Sequence, residues 1–244
     1  MLSDLLPAPG AWAVCAVAVV VGTVVQRLSG AGYGMVAAPA MTLVAPAWVP
    51  GTILLVGALV GLGALHAGWD AVHRRDLPPG FAGRTLGALI AGWIAAAVAG
   101  TDALPLVVGG VVLAAVALSL AGLSLPVTAP ALFGAGTVAG VMGTLTGIGA
   151  PPMAILYAGV ETRRSAATQN AFFGFGMVVS ILVLAGAGLI RAPHLAFALS
   201  LAPLVPLALW GARPLARRFE RGAIRPWALG LAAASAAVLI ARSL

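Results

Sequence analysis

The chain has 244 residues, 61% of them hydrophobic and 8% charged, with a mean hydropathy of +1.09. A soluble domain covers itself with about 25% charged residues, so this composition excludes a soluble fold. The net charge of +7 comes from arginine alone, and those arginines sit in short connections between apolar stretches. That excludes a nucleic-acid-binding surface, which gathers its charges on one polar face, and points to membrane topology.

The amino terminus, MLSDLLPAPG, lacks both a basic region and a small-residue cleavage site, so the first apolar segment, residues 11–28, reads as a retained helix and not a signal peptide. Cys15 within it has no second cysteine to pair with and reads as a small apolar filler. Next comes SGAGYGMVAAPAM, residues 29–41, with Gly30, Gly32 and Gly34 at alternate positions. Glycine lacks the side chain that stabilises a helix and visits backbone angles that a helix forbids, so a break is predicted there. Apolar segments follow at 52–65, 86–99 and 104–123, then at 171–189, 195–211 and 226–240. Each approaches the ~20 residues needed to cross ~30 Å of hydrocarbon. The fold class is an all-α polytopic membrane protein.

An internal repeat sets the architecture. TGIGAPPMAIL at Thr146 matches SGAGYGMVAAP at Ser29 after a spacing of 117 residues, and the following segments pair as well. Two homologous halves are predicted, residues 1–123 and 124–244. The arginines give their orientation. WDAVHRRDLPPGFAGR in the first half is basic and its counterpart IRAPH is nearly not, whereas ARPLARRFERGAIR in the second half is basic and its counterpart AGTDALP is not. With inverted halves, Arg74, Arg75, Arg84, Arg163, Arg164, Arg213, Arg217, Arg218, Arg221 and Arg225 share one side, and only Arg191 and Arg242 face the other. Cytoplasmic loops collect arginine, so loops 70–84, 161–165 and 213–225 are placed on the cytoplasmic side of the cell membrane.

Inversion requires an odd number of crossings per half. Each half is therefore predicted to hold a glycine-broken re-entrant hairpin plus three transmembrane helices. The arms after the breaks, residues 35–44 and 153–160, are too short to cross at 1.5 Å per residue. Non-helical backbone at membrane depth must be buried in protein or line a wet cavity. Two such turns entering from opposite faces are expected to meet near the midplane, where free amides following Gly34 and Pro152 suit an anion. Close helix packing is the alternative use of glycine, and it is the reading for Gly57, Gly61, Gly87 and Gly230.

A long apolar helix, a glycine turn running into a proline-containing short helix, then a segment opening with small residues and threonine, all twice over, resembles the sulfite exporter TauE/SafE family of membrane permeases. The resemblance rests on Gly30, Gly32, Gly34 and Pro39 and on Gly147, Gly149 and Pro152, and covers essentially the whole chain. Tyr33, and Ala150 with Pro151, interrupt the fuller glycine run usual in the family. The resemblance implies transport, most often outward, of small sulfur-containing or organic anions such as sulfite or sulfonates.

The predicted substrate-binding set is Arg27, Ser29, Gly30, Gly32, Tyr33, Gly34, Thr146, Gly147, Gly149, Gln169 and Asn170. Arg27 brings a cation two residues before the first turn; snorkelling to the interface is its other use. Ser29, Thr146, Gln169 and Asn170 offer neutral hydrogen bonds, the last two at the expected start of a helix, where amides also serve as caps. All six acids, Asp4, Asp70, Asp76, Asp102, Glu161 and Glu220, fall in loops or at ends, which disfavours a cation carrier. His66, His73 and His194 are dispersed, so neither a metal site nor a cofactor is expected. No nucleophile, base and orienting acid stand together, so an enzyme is not predicted. Alternating access is the predicted mechanism and an anion-selective channel the alternative. The partners are then the bilayer and a small anionic substrate, with no nucleic acid; a homo-oligomer is compatible with the sequence.

Overall fold

A computed structural model describes residues 5–101 and 103–215. The predicted segment 226–240, Asp4, Asp102, Glu220, Gly230 and the arginines from 217 onward lie outside the described residues. Among the described residues ten α-helices follow in chain order: α1 (Pro9–Ser29), α2 (Tyr33–Val44), α3 (Gly51–His66), α4 (Leu77–Val98), α5 (Ala103–Leu120), α6 (Ala129–Thr146), α7 (Ala150–Leu156), α8 (Thr162–Gly186), α9 (Ala192–Leu201) and α10 (Leu204–Leu215). There is no strand among the described residues. Among the described residues five stretches are long and apolar enough to cross a membrane: Pro9–Ser29, Arg74–Val98, Ala129–Thr146, Thr162–Gly186 and Ala192–Pro214. The last contains the α9–α10 joint at Pro203, where the missing N–H interrupts the helical ladder.

Outward faces are apolar. On α4, Leu86, Leu89, Ile90 and Trp93 are exposed at helical spacing, and Val14, Val17 and Val21 form a similar row on α1. In water such stripes would be untenable; against lipid tails they cost nothing. Inward faces are small. Gly61 on α3 faces Gly174 on α8, and Gly57 faces Met177, with Sδ 3.1 Å from where a Cβ would stand. Gly68, just past α3, lies against Ala167, so the two helices run antiparallel. Helices α4 and α6 run together in the same direction, Gly136 opposite Gly80 and Gly140 opposite Gly87. Glycine permits this backbone approach because no Cβ stands between the helices.

The two ends of α3 hold different contacts. At its start, Thr52 donates to the His194 carbonyl at 3.3 Å and the Trp48 ring meets Phe197 edge-on at 6.0 Å. Beyond its other end, His73 N–H donates to Thr168 Oγ1 at 3.0 Å, Tyr157 Oη donates to Asp76 Oδ2 at 2.7 Å, and Arg163 pairs with Asp70. The connection before α3 therefore touches the start of α9, while the connection before α8 touches the loop after α3.

One charge is not where the sequence placed it. Arg84, assigned above to a basic loop spanning 70–84, lies inside α4 and is 5% exposed. LPPG reads as a loop, yet Pro78 and Pro79 occupy the first turn of α4, where proline's fixed φ suits a helix and its absent N–H loses no bond. The helix thus starts earlier and draws Arg84 inside.

Candidate functional site

The helix breaks are two copies of one local structure. Gly30 ends α1 at φ 75°, ψ −4°, and Gly147 ends α6 at φ 77°, ψ −3°, both left-handed. Any side chain would be strained there, which is the reason for glycine. The hydroxyls before them act identically. Ser29 Oγ donates to Val25 O at 2.9 Å and accepts from Ala31 N–H at 3.3 Å; Thr146 Oγ1 donates to Met142 O at 2.7 Å and accepts from Ile148 N–H at 3.1 Å. Each hydroxyl shapes its own turn.

After each break the chain doubles back. A Cβ on Gly22, seven residues before the end of α1, would lie 3.3 Å from Tyr33 Cα, and one on Gly149 would lie 2.8 Å from Ala139 O of α6. The two reversals touch: a Cβ on Gly34 would collide with Gly147 O and lie 2.8 Å from Gly147 C. Gly30 itself rests on α8, where a Cβ would stand 2.6 Å from Ala166 O.

The amides at the start of α2 are partly taken. Gln26, fully buried, accepts from Gly32 N–H at 2.9 Å and Tyr33 N–H at 3.0 Å through Oε1. Its Nε2 donates to Gly30 O at 2.8 Å and to Asn170 Oδ1 at 3.0 Å. One carboxamide thus caps α2 and ties it to α8. The second break offers fewer amides, because Pro151 and Pro152 stand in the first turn of α7 and carry no N–H. Gln169 and Asn170 do not open a helix as expected. They lie two turns inside α8, whose cap is Glu161, its carboxylate accepting from Arg163 N–H at 2.7 Å and Arg164 N–H at 2.9 Å.

Beside the first break is a cavity of about 670 Å³, bounded by the ends of α1, α3 and α5 and the starts of α7 and α8. Arg27, Ser29, Gly32, Gln169 and Asn170 line it, and it extends to Arg163. Among the described residues no acid lines it, and because Arg163 is paired with Asp70, Arg27 is the cation that makes its wall positive. Arg27 is half-buried, and its buried Nε has no hydrogen-bond acceptor among the described residues. The other predicted residues lie apart from this cavity. Tyr33 is wholly buried with its ring on Phe173 at 6.0 Å and its hydroxyl unpartnered, while Gly34, Thr146 and Gly147 are buried in the contact between reversals. Gly30 and Gly149 line a smaller chamber beside it.

Among known families, the profile of the sulfite exporter TauE/SafE family matches residues 14–239. The chain belongs to the sulfite exporter TauE/SafE family. Neither a curated protein nor a solved structure matches it. TauE/SafE proteins are membrane transporters of sulfite and related anions, not a class of enzymes, so the protein is a multi-pass membrane transporter acting on a small anion. In this TauE/SafE chain the Tyr157 phenol, at the foot of the cavity, is held far above its ordinary pKa range by burial and by its hydrogen bond to Asp76. It stays neutral, so it does not offset the charge of Arg27 in the cavity wall.

Proposed function

We propose that this transporter exports small sulfur-containing or organic anions, such as sulfite or sulfonates, by alternating access between two inverted repeats, residues 1–123 and 124–244. Each repeat contributes a re-entrant hairpin, α1–α2 or α6–α7, and the anion is held beside the place where their glycine breaks meet. The observation that carries the proposal is the cavity itself: it lies beside the first break, is lined by Arg27, and has no acid in its wall among the described residues. Its size suits a small organic ligand, since such sites occupy about 300–1,000 Å³.

Inversion draws support from the contacts at the ends of α3. Parallel repeats would bring the connections before α3 and before α8 to the same level. Instead one contacts the start of α9 and the other the loop after α3, about 24 Å apart along a helix of 16 residues. The arginine loops near 74 and 163 fall together, as the cytoplasmic side requires. The cavity then opens inward. Export needs no coupled ion, because a negative interior favours loss of each anionic charge by ~2.3 kcal/mol per 100 mV.

The test is flux of labelled sulfite, thiosulfate and small sulfonates across liposomes containing the purified protein. Saturable flux that falls at least ten-fold in Arg27→Ala, by about the 1.5–3 kcal/mol of a charge-assisted hydrogen bond, supports the proposal. Parent-like flux of every anion in that variant removes Arg27 from the site, and unitary current steps would make the protein a channel.

A further inference from the structure

Arg84, buried inside α4, has no part in the wall of the large cavity. Its guanidinium stands inside the bundle, between α4, α6 and α8 and against the second glycine break. Room for it is cut by three glycines from two helices and a turn. A Cβ on Gly143 would lie 2.6 Å from Nη2, one on Gly149 3.1 Å from Nη1, and one on Gly176 2.8 Å from Cζ. Only neutral acceptors meet it: Nη1 donates to Ala139 O, and Nη2 to Ser180 Oγ at 3.3 Å, with Ser180 in turn 2.7 Å from Thr144 Oγ1. Among the described residues no carboxylate pairs with it. An arginine within membrane-spanning helices normally pairs with an acid or marks an ion path, because an unpaired buried charge costs several kcal/mol.

A second observation points to what would balance that charge. Arg84 lines a chamber of about 30 Å³ with Gly30, Gly149, Ala150 and Gln169. That volume holds one or two waters and no more. Gln169 and Ala150 also line the large cavity, so they form the partition between the two spaces. Gln169 is 7% exposed; its Nε2 donates to Ser165 Oγ at 2.9 Å and its Oε1 has no partner. The chamber therefore touches both glycine breaks, holds a cation with no carboxylate partner among the described residues, and is separated from the large cavity by Ala150 and by Gln169, whose Oε1 is unsatisfied.

We propose that Arg84 is a second anion-binding residue of the transport path, forming an occluded station for a small oxyanion that passes Gln169 from the Arg27 cavity. This deepens the proposed transport function and rests on it. In the conformation described the station is contracted, with room only for water. It enlarges when the two reversals separate, and the oxyanion then replaces water against Arg84. Neutral Gln169 is essential to the path, because a carboxylate there would pair with Arg84 permanently and exclude the substrate.

The experiment combines sulfite flux in liposomes with thermal unfolding in detergent, with and without sulfite, for the parent, Arg84→Met, Arg84→Lys, Gln169→Glu and the double variant Arg84→Met/Gln169→Glu. Parent flux that saturates, with sulfite raising the unfolding temperature, establishes transport independently of Arg84. Absence of parent flux for every anion refutes the transport function itself. With parent flux present, Arg84→Met is expected to raise the KM for sulfite at least ten-fold, and Arg84→Lys to fall between it and the parent. Gln169→Glu is expected to be folded, to unfold at a higher temperature than the parent without sulfite, and to lose both flux and the sulfite-dependent shift. In the double variant that added stability is expected to vanish. A folded Arg84→Met with parent KM and Vmax overturns the proposal. So does a Gln169→Glu substitution whose effect on unfolding is the same with and without Arg84, because a merely structural arginine would not couple to that carboxylate.

Discussion

The contact between the two reversals gives the sharpest test of the architecture, through Gly34→Ala. The added methyl would collide with Gly147 O and stand 2.8 Å from Gly147 C and 3.3 Å from Ile148 Cα. All three are backbone atoms, so no rotamer change relieves the overlap. Either α2 or the second turn must shift. Forcing a methyl into a packed core costs about 1–3 kcal/mol, which for a chain of this size lowers the unfolding temperature by about 2–12 °C. Helix propensity alone predicts the opposite sign, since alanine in a helix is better than glycine by about 0.5–1 kcal/mol. Gly134→Ala is the matched control: it lies in α6 with nothing within 4 Å of its Cβ position, and is expected to hold or raise stability. Thermal unfolding in one detergent, with sulfite flux on the same preparations, reads both. Because Gly34 sits where the hairpins meet, its flux is expected to fall by more than the folded fraction does. A Gly34→Ala protein with parent unfolding temperature and flux would refute the contact and the architecture built on it.

Other outcomes follow from single side chains. Gln26→Leu leaves the Gly32 and Tyr33 amides, Gly30 O and Asn170 without their partner, at about 1–3 kcal/mol for each orphaned group; thermal unfolding is expected to show a larger loss than for Gly34→Ala. Gln26→Glu keeps the acceptor for both amides and is expected to retain more stability than the leucine variant in the same assay. Tyr157→Phe removes a bond to the Asp76 carboxylate, worth about 1.5–3 kcal/mol; thermal unfolding is expected to move down accordingly. For topology, cysteines replacing Arg75 and Arg163 in a Cys15→Ala background should be labelled by an impermeant maleimide from one face and a cysteine at Ala47 from the other. Labelling of all three from a single face would contradict inversion.

Much of the fold is legible in the sequence because membrane chemistry leaves few options. Apolar stretches of the required length must be helices, since lipid satisfies no backbone group. Glycine at alternate positions must break a helix, and the same break recurs 117 residues later with the same angles at Gly30 and Gly147. Ser29 and Thr146 act within four residues of themselves, so local sequence contains all that their roles require. The start of α4 reads as a loop in the sequence because LPPG fits both, and the first turn of a helix is where proline is tolerated.

What the sequence by itself determined is therefore local: an all-helical membrane chain, a helix-ending glycine turn that occurs twice, an excess of arginine in particular connections, and membership of a transporter family. Tertiary structure alone decided which groups are spent on the protein and which are free for a solute. Gln26 accepts from the Gly32 and Tyr33 amides, and its second bond, to Asn170 144 residues distant, ties that carboxamide to α8. Arg84 becomes a buried cation through glycines on α6 and α8 and beside α7, none near it in the chain. Hydrogen bonds and Coulomb forces act across a few ångströms of space, and only folding sets those distances.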